Sequence, residues 1–599
     1  MLPMPWFRRN KDTQPKAHKK RRREERRRRG VTAIEKFVVE EIEVGGIPTR
    51  PTPAPITAPK PAAAWAEDAR LAAGWIGLWM LLVAAALFAR SGWPVDETRT
   101  LAVAWDMWLA GDFLLPSLNN ELSYQPPLLY SLVYFGWKFF GAEEWWARML
   151  PALFSLAALY MTGRLARLLW PRSPDAARYA PFMLLGIFFW ALYTTVTLGD
   201  MLLVFFTLLA LRGVLIMWRR RDMRAWMLLG AALGLGVLAH GFAILLYVLP
   251  VALLAPLWAA GSPGMNWKYW YLDTTKALLL AGAVVAAWAV PAARDAGVPY
   301  IVKWITVSLS PPVLELFPGS RPWWWYALLL PLLLLPWSLW PLLWMRLWRI
   351  RRQKLNPGIL FCMAWVFPTL ALLSLYDVKQ PQMLLPLLPA GVLAGCYLLF
   401  DGEIPPGDED RPLAGMSIPL ILLGGLFAVM PKLPRVEFLP GFLWELSPLI
   451  GVGVIVVGIV LAWLPFKESR QRVLETAAFS ASLVAIVVLV VGSQFEPLRE
   501  VKDVARALAQ AQQARRPIAH VGDYQGQFHF YGRLEHPLSV LAADEAEAWA
   551  ERYPSGVLVV YAGAWQPRLR PGARPMLEAP YLDGAVYAWE AAALAGRRR

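Results

Sequence analysis

The feature that most constrains this chain is the recurrence of apolar runs about twenty residues long. A helix crossing a bilayer needs roughly 20 largely apolar residues, because backbone N–H and C=O groups in hydrocarbon must be satisfied inside the helix. About thirteen runs reach that length, starting near Leu71, Trp146, Tyr179, Met201, Ala225, Phe242, Ala277, Trp323, Pro357, Gln382, Leu413, Glu445 and Thr476. The chain is 57% hydrophobic with 32 Trp, more apolar surface than a water-facing fold hides. The expected fold class is therefore mostly α: a polytopic membrane protein with juxtamembrane helices on its outer face and a small C-terminal α/β soluble domain. The apolar run Pro126 to Phe140 is too short to span and reads as a helix lying on or dipping into the membrane.

Charge orients these runs. The formal net charge is +16, but the excess sits in the N-terminal tail and in short loops between apolar runs, which fits membrane orientation better than a nucleic-acid partner. With residue 1 inside, the inner loops are those holding Arg164, Arg167, Arg172 and Arg178; Arg219, Arg220, Arg221 and Arg224; Arg346 to Lys354; and Lys467, Arg470 and Arg472. Counting Pro126 to Phe140 as a span would place most of these clusters outside. The two cysteines, Cys362 and Cys396, lie in apolar runs and offer neither a disulfide framework nor a thiolate metal site.

Three regions follow. Residues 1–64, a dense basic run followed by Pro/Ala-rich sequence, read as a disordered cytoplasmic tail. Residues 65–494 are the transmembrane domain. In residues 495–599, Val501 to Arg515 reads as an amphipathic helix, and Pro517 to Val521, His536 to Leu541 and Gly556 to Val560 read as strands, with Gln527 to Gly532 helical between them. This α/β domain is extracytoplasmic by parity, and its histidines lack metal-ligand spacing.

The same topology gathers Asp96, Glu97, Arg99, Arg148, Asp200, His240, Arg321 and Lys379 at the outer face. Ionisable groups beside membrane segments are costly and mark substrate paths. Asp96, Glu97 and Arg99 stand where the chain leaves the first span, beside Trp105 and Trp108, which suit an interface; solvation of a helix end is the plainer reading. Asp200 opens an apolar helix, as a site residue or as a plain N-cap. His240 stands at a tight turn, structural or functional. Lys379 either neutralises a phosphate or snorkels.

The run Asp96-Glu97-Thr98-Arg99, then Gly111-Asp112-Phe113-Leu114-Leu115-Pro116, Pro126-Pro127-Leu128, Gly141 and Ala147 to Leu153 resembles the first outer loop of bacterial protein mannosyltransferase-like and lipid A aminoarabinose transferase-like enzymes, within the glycosyltransferase C superfamily. Asp200 is similar to the family's second acidic position, and Ser374, Lys379 and Leu385-Pro386 to its late outer-loop motif. The resemblance covers residues of roughly 70 to 400. Gln125 stands where the family carries Lys before Pro-Pro-Leu, His240-Gly241 where Lys-Gly is usual, Met383 where an aromatic is usual, and Tyr124 where the aminoarabinose transferases carry an acid discussed as a metal ligand. No metal and no cofactor are therefore expected.

The resemblance implies an inverting membrane glycosyltransferase. It would move a sugar from a polyprenyl-phosphate donor to an envelope lipid, glycan or protein acceptor, at the outer face of a bacterial inner membrane. Asp96 and Glu97 would be catalytic, the first as base and the second orienting the acceptor or the base. Arg99, Arg148 and Lys379 would hold the donor phosphate, and Tyr124, Gln125, Asp200, His240 and Arg321 would line the substrate site. A lipid-linked sugar transporter and a non-catalytic envelope scaffold are the alternatives. A transporter would show internal repeats with interrupted helices, and no repeat is visible in this sequence.

Overall fold

The computed structural model describes residues 61–594, apart from 90–94, 197–198, 221–223, 261–264, 310–320, 351–355, 401–413, 435–443, 445–446, 464–468, 500, 563–564, 566–569, 571–572 and 582–583. The expected tail and the acidic loop Asp401 to Asp410 thus fall almost wholly outside the described residues. The chain divides into two compact units, 1–68 and 69–599. Of the first, only the opening turns of helix α1 (Pro61–Ala89) are described.

The second unit is a multi-pass helical membrane protein. After α1 come α2 (Asp96–Ala110), a two-stranded hairpin of β1 (Ser117–Leu118) and β2 (Glu121–Leu122), α3 (Leu128–Phe140), α4 (Glu144–Leu169), α5 (Pro174–Leu185), α6 (Phe188–Tyr193), α7 (Asp200–Arg220), α8 (Ala225–His240) and α9 (Ala243–Leu253). Then follow α10 (Trp267–Ala296), α11 (Val298–Leu309), α12 (Trp325–Leu333), α13 (Pro341–Ile350), α14 (Pro357–Ser374), a 3-10 segment (Pro381–Leu387) running into α15 (Leu388–Phe400), α16 (Ala414–Val429), α17 (Pro448–Trp463) and α18 (Ser469–Arg499).

Among the described residues, seven helices are long and apolar enough to cross a membrane: Trp65–Phe88, Glu144–Leu169, Asp200–Arg219, Trp267–Ala296, Pro357–Ser374, Pro381–Phe400 and Ser469–Leu489. The other expected segments fall on shorter or interrupted helices. The run near Tyr179 breaks at Gly186, where a Cβ would stand 2.8 Å from the Trp337 ring and 3.1 Å from the Ala477 backbone; only glycine admits that approach. The run near Trp323 is cut by Pro336 and Pro341 into α12, a 3-10 turn at Trp337–Leu339 and α13, because proline supplies no N–H to continue a helix. The run Pro126 to Phe140 forms α3, thirteen residues long, well short of a span.

After α18, the chain forms α19 (Lys502–Gln513), β3 (Ile518–Val521), α20 (His529–Gly532), β4 (Ser539–Leu541), α21 (Ala546–Arg552), β5 (Val557–Tyr561), β6 (Leu577–Tyr581) and β7 (Gly584–Glu590). The sheet order is β4-β3-β5-β7-β6, with β3 parallel to β4 and β5, and β7 antiparallel to β5 and β6. Alternation along β5 serves two cores. Val557 and Val559 pack with Val504, Leu508 and Phe528, while Leu558 and Val560 pack with Trp549 and Trp589, as the period of two requires.

This sheet unit is seated on the loop that follows α1. The β1–β2 turn holds Asn119 and Asn120 at φ 56° and 63°, the left-handed pair a two-residue hairpin demands and asparagine tolerates. The Asn119 side chain then exchanges two hydrogen bonds with Leu538, donating to its carbonyl at 2.9 Å and accepting from its N–H at 2.7 Å. Trp105 Nε1 donates to the Leu534 carbonyl at 2.8 Å, Arg533 Nη2 to the Ala142 carbonyl at 2.6 Å, and Phe530 stacks on Trp137 at 5.4 Å.

Candidate active site

The N-terminus of α2 sets the first half of the site. Two acids in a first helical turn are favoured by the positive end of the helix dipole, and Asp96 and Glu97 occupy that turn. The Thr98 and Thr100 hydroxyls donate back to the carbonyls of Val95 and Asp96 at 3.0 and 2.9 Å, fixing the turn. Glu97 is buried, at 3% exposure, while Asp96 and Arg99 are half-buried. The Arg99 Nε is buried with no hydrogen-bond partner among the described residues. Tyr130, on α3, packs where Arg99 and Asp96 both act on it; burial is the main cause that pushes its hydroxyl up to about 12, with Arg99 opposing and Asp96 adding.

The second half comes from the α7–α8 pair. Because these helices pack antiparallel, the start of one meets the end of the other. His240 Nε2 stands 3.4 Å from Asp200 Oδ1. Asp200 is buried at 6% exposure and is more than an N-cap, since its carboxylate faces an imidazole. Gly199 lies against Ala239, His240 and Leu129 of α3, and Gly241, at φ 71°, lies against Ser308 of α11. Asp96 and Asp200 both act on the hydroxyl of Tyr193, so two acids more than a hundred residues apart in sequence share one neighbourhood. Asp200 also acts on Tyr247, whose hydroxyl donates to the Met383 carbonyl at 2.7 Å. The late loop thereby joins the same end of the bundle.

Not every expected cation points into this space. Arg148 is buried, donates through Nη2 to the Ala86 carbonyl at 2.6 Å and pairs with Glu144 at 3.4 Å, tying α4 to α1. Lys379 is 2% exposed, and its ammonium donates to the carbonyl oxygens of Arg321, at 2.9 Å, and of Tyr376. The Arg321 N–H in turn donates to the Asp377 carbonyl at 3.0 Å, so these residues staple two chain segments together. Arg321 keeps its Nε buried without a partner among the described residues.

Tyr124 and Gln125 stand half-buried in the loop before α3. Tyr124 packs on Tyr300 at 5.4 Å, and the Tyr300 hydroxyl donates to the Ser123 carbonyl at 3.0 Å. Here α11 contributes a residue that sequence reasoning missed. Lys303 Nζ sits 4.3 Å over the Tyr124 ring, beside the position where Gln125 replaces a lysine. Gln382 was missed as well. It is 2% exposed, and neither side-chain amide atom has a hydrogen-bond partner among the described residues; the 3-10 segment that carries it packs on α7. A lone lysine in an apolar helix and a glutamine between prolines carry no spacing signal. Among the described residues, no group of three His, Cys, Asp or Glu side chains is placed to hold a metal ion.

Residues 124–293 match the family model described as dolichyl-phosphate-mannose-protein mannosyltransferase. The chain is 31% identical over 333 residues to the undecaprenyl phosphate-alpha-4-amino-4-deoxy-L-arabinose arabinosyl transferase of Pseudomonas aeruginosa (strain LESB58), covering 51% of this chain and 56% of that protein. It is 26% identical over 406 residues to the similarly named transferase 2 of Pseudomonas fluorescens (strain Pf0-1), covering 65% and 69%. The chain thus spans little more than half the length of the first of these relatives. In fold it is similar to ArnT from Cupriavidus metallidurans in the apo state, at TM-score 0.68 and 19% identity, covering 90% of this chain and 100% of that one. The same protein bound to undecaprenyl phosphate gives a TM-score of 0.64. On these likenesses the chain is similar, in sequence and in fold, to lipid A aminoarabinose transferase-like proteins of the glycosyltransferase C superfamily.

Proposed function

We propose that this protein is an inverting membrane glycosyltransferase that moves a sugar from a polyprenyl-phosphate donor to an envelope lipid, glycan or protein acceptor. The observation that carries the reading is the meeting of Asp96, Asp200 and a half-buried Arg99, whose Nε has no hydrogen-bond partner among the described residues, at one end of the helical bundle. The names of the relatives support a lipid-phosphate-linked sugar as donor.

In the proposed step, the acceptor hydroxyl oxygen attacks the anomeric carbon from the face opposite the phosphate. The carbon–oxygen bond to phosphate breaks, its electron pair leaves with the polyprenyl phosphate, and the hydroxyl proton passes to Asp96. General-base help of this kind is typically worth roughly 10²- to 10⁴-fold. Glu97 orients Asp96 or the acceptor. Negative charge grows on the departing phosphate, so donors aimed there lower the barrier; Arg99 supplies paired donors and Lys303 a point charge. The Asp200–His240 pair, Tyr124, Gln125 and Arg321 line the sugar side. Arg148 and Lys379 act on the phosphate indirectly, by holding α4 and the late loop in place.

The alternation of basic loops supports thirteen crossings, with the shorter apolar helices completing the count, in a bacterial inner membrane with the site on its extracytoplasmic face. The C-terminal sheet unit, 495–599, then lies outside, seated on the loop that carries the catalytic residues. Purified protein in vesicles with a polyprenyl-phosphate sugar and a lipid acceptor tests this reading. Release of polyprenyl phosphate with sugar on the acceptor is the expected result. Movement of intact donor across the bilayer without cleavage would instead identify a transporter, and neither event would identify a scaffold.

A further inference from the structure

At the far end of α7 from Asp200, the structure holds a charged cavity that the proposed transfer reaction does not use. It encloses about 300 Å³ and is lined by Arg164 and Arg167 of α4, Arg212 and Arg219 of α7, and apolar Leu168 and Ile216. This lies within the volume range of ligand pockets, roughly 300–1,000 Å³. No carboxylate lines it among the described residues.

The arginines converge by helical spacing. Arg164 and Arg167 stand three apart, and Arg212 and Arg219 seven apart with Ile216 between them, so each pair lies on one face, and α4 and α7 pack together. Arg219 Nη2 donates to the Leu169 carbonyl at 2.7 Å and its guanidinium lies 4.0 Å over Trp218, which pins the rim of the cavity. Arg164 lies 5.9 Å from the Tyr160 ring. Among the described residues neither Arg164 nor Arg167 forms an ion pair. Arg164 and Arg212 are half-buried, whereas Arg167 and Arg219 are exposed. The cavity therefore has two inner guanidinium groups and two at its mouth. At 1.5 Å per residue, Asp200 and Arg219 are separated by about 28 Å along α7, close to the hydrocarbon thickness of a bilayer of about 30 Å.

Orientation of the chain requires only that basic residues lie on one side. It does not require four guanidinium groups from two helices around one cavity with no carboxylate among the described residues that line it. Guanidinium groups match phosphate oxygens through paired donors, and basic pockets between membrane helices recognise phosphorylated headgroups. We propose that this cavity binds a phosphate group, carried by a lipid headgroup or free in solution, at the membrane face opposite the catalytic end. Because it rests on α4 and α7 alone, it stands apart from the assignment of the transfer reaction.

Native mass spectrometry of the purified full-length chain tests it, with phosphatidylglycerol, diacylglycerol of the same chains, and inorganic phosphate as probes. Wild-type protein should retain phosphatidylglycerol and not diacylglycerol, and Arg164→Gln combined with Arg212→Gln should reduce retention about tenfold or more. Arg349→Gln, a cation removed elsewhere, should leave retention unchanged. Displacement of the lipid by inorganic phosphate would assign the site to the phosphate alone, and retention against excess phosphate would assign it to the lipid headgroup; both support the site. If the Gln pair fails to fold, Arg164→Lys with Arg212→Lys keeps the charge and should still lose about threefold or more, since lysine lacks the paired donors. Retention equal to wild type in the folded variants, or an equal loss in Arg349→Gln, would overturn the proposal and leave these arginines as orientation charges.

Discussion

Lys379 and Lys303 stand in different surroundings. Lys379 was expected to meet phosphate, because a cation beside a late outer loop is a natural counter-ion. Its ammonium instead donates to the Arg321 and Tyr376 carbonyls, and Lys303 stands over Tyr124 where the expected lysine is replaced by Gln125. Which atoms a cation faces is decided by tertiary packing, and no spacing rule reveals it. Lys379→Gln should therefore act mainly on stability, since it leaves two buried carbonyls short of a donor at about 1–3 kcal/mol. Lys303→Gln removes an exposed charge; it should leave the melting temperature unchanged and weaken donor binding several-fold. Melting curves and donor titrations on both variants check this. A silent Lys303→Gln beside a Lys379→Gln that loses donor affinity without losing stability would return the phosphate role to Lys379.

At the scale of elements, continuous apolar runs were legible and their interruptions were not. A helix that spans and one broken by Pro336, Pro341 or Gly186 have the same apolar length, and the break depends on what packs against it. Three of the five strands of the C-terminal unit were readable from their apolar runs and β6 and β7 were not; the docking of the unit on the β1–β2 hairpin was invisible, because the contacts come from single residues such as Asn119 and Trp105. That junction carries a titratable group. Asp106 of α2 accepts from the Asn120 N–H at 3.3 Å, and burial raises its carboxyl from 3.8 to about 6 despite the opposing Asn119 and Asn120 backbone bonds. Between those values the folded chain binds the proton and the unfolded chain does not, so this contribution to stability is lost as pH rises through 6. Asp106→Asn keeps the acceptor and removes the charge. It should raise the melting temperature at pH 7.5, by up to roughly 3 kcal/mol in stability terms, and have little effect at pH 4. Equal effects at both pH values would contradict a buried charge as the cause.

At the scale of the whole molecule, the fold sets a charged cluster at each end of α7. One end collects Asp96, Glu97, Arg99, Asp200 and His240 from α2, α7 and α8; the other collects the arginines of α4 and α7. The contiguous run Asp96-Glu97-Thr98-Arg99 was legible as a candidate site because its members are neighbours in sequence. The Asp200–His240 pair needed the antiparallel packing of α7 and α8. The account's central claim is that Asp96 is the base of a sugar transfer, and the most direct measurement is transfer from a polyprenyl-phosphate sugar by reconstituted Asp96→Asn. The substitution keeps the shape and removes the basic oxygen, so folding and donor affinity should match wild type while transfer falls by roughly 10²-fold or more. Near-normal transfer by Asp96→Asn, with normal donor affinity, would contradict the account.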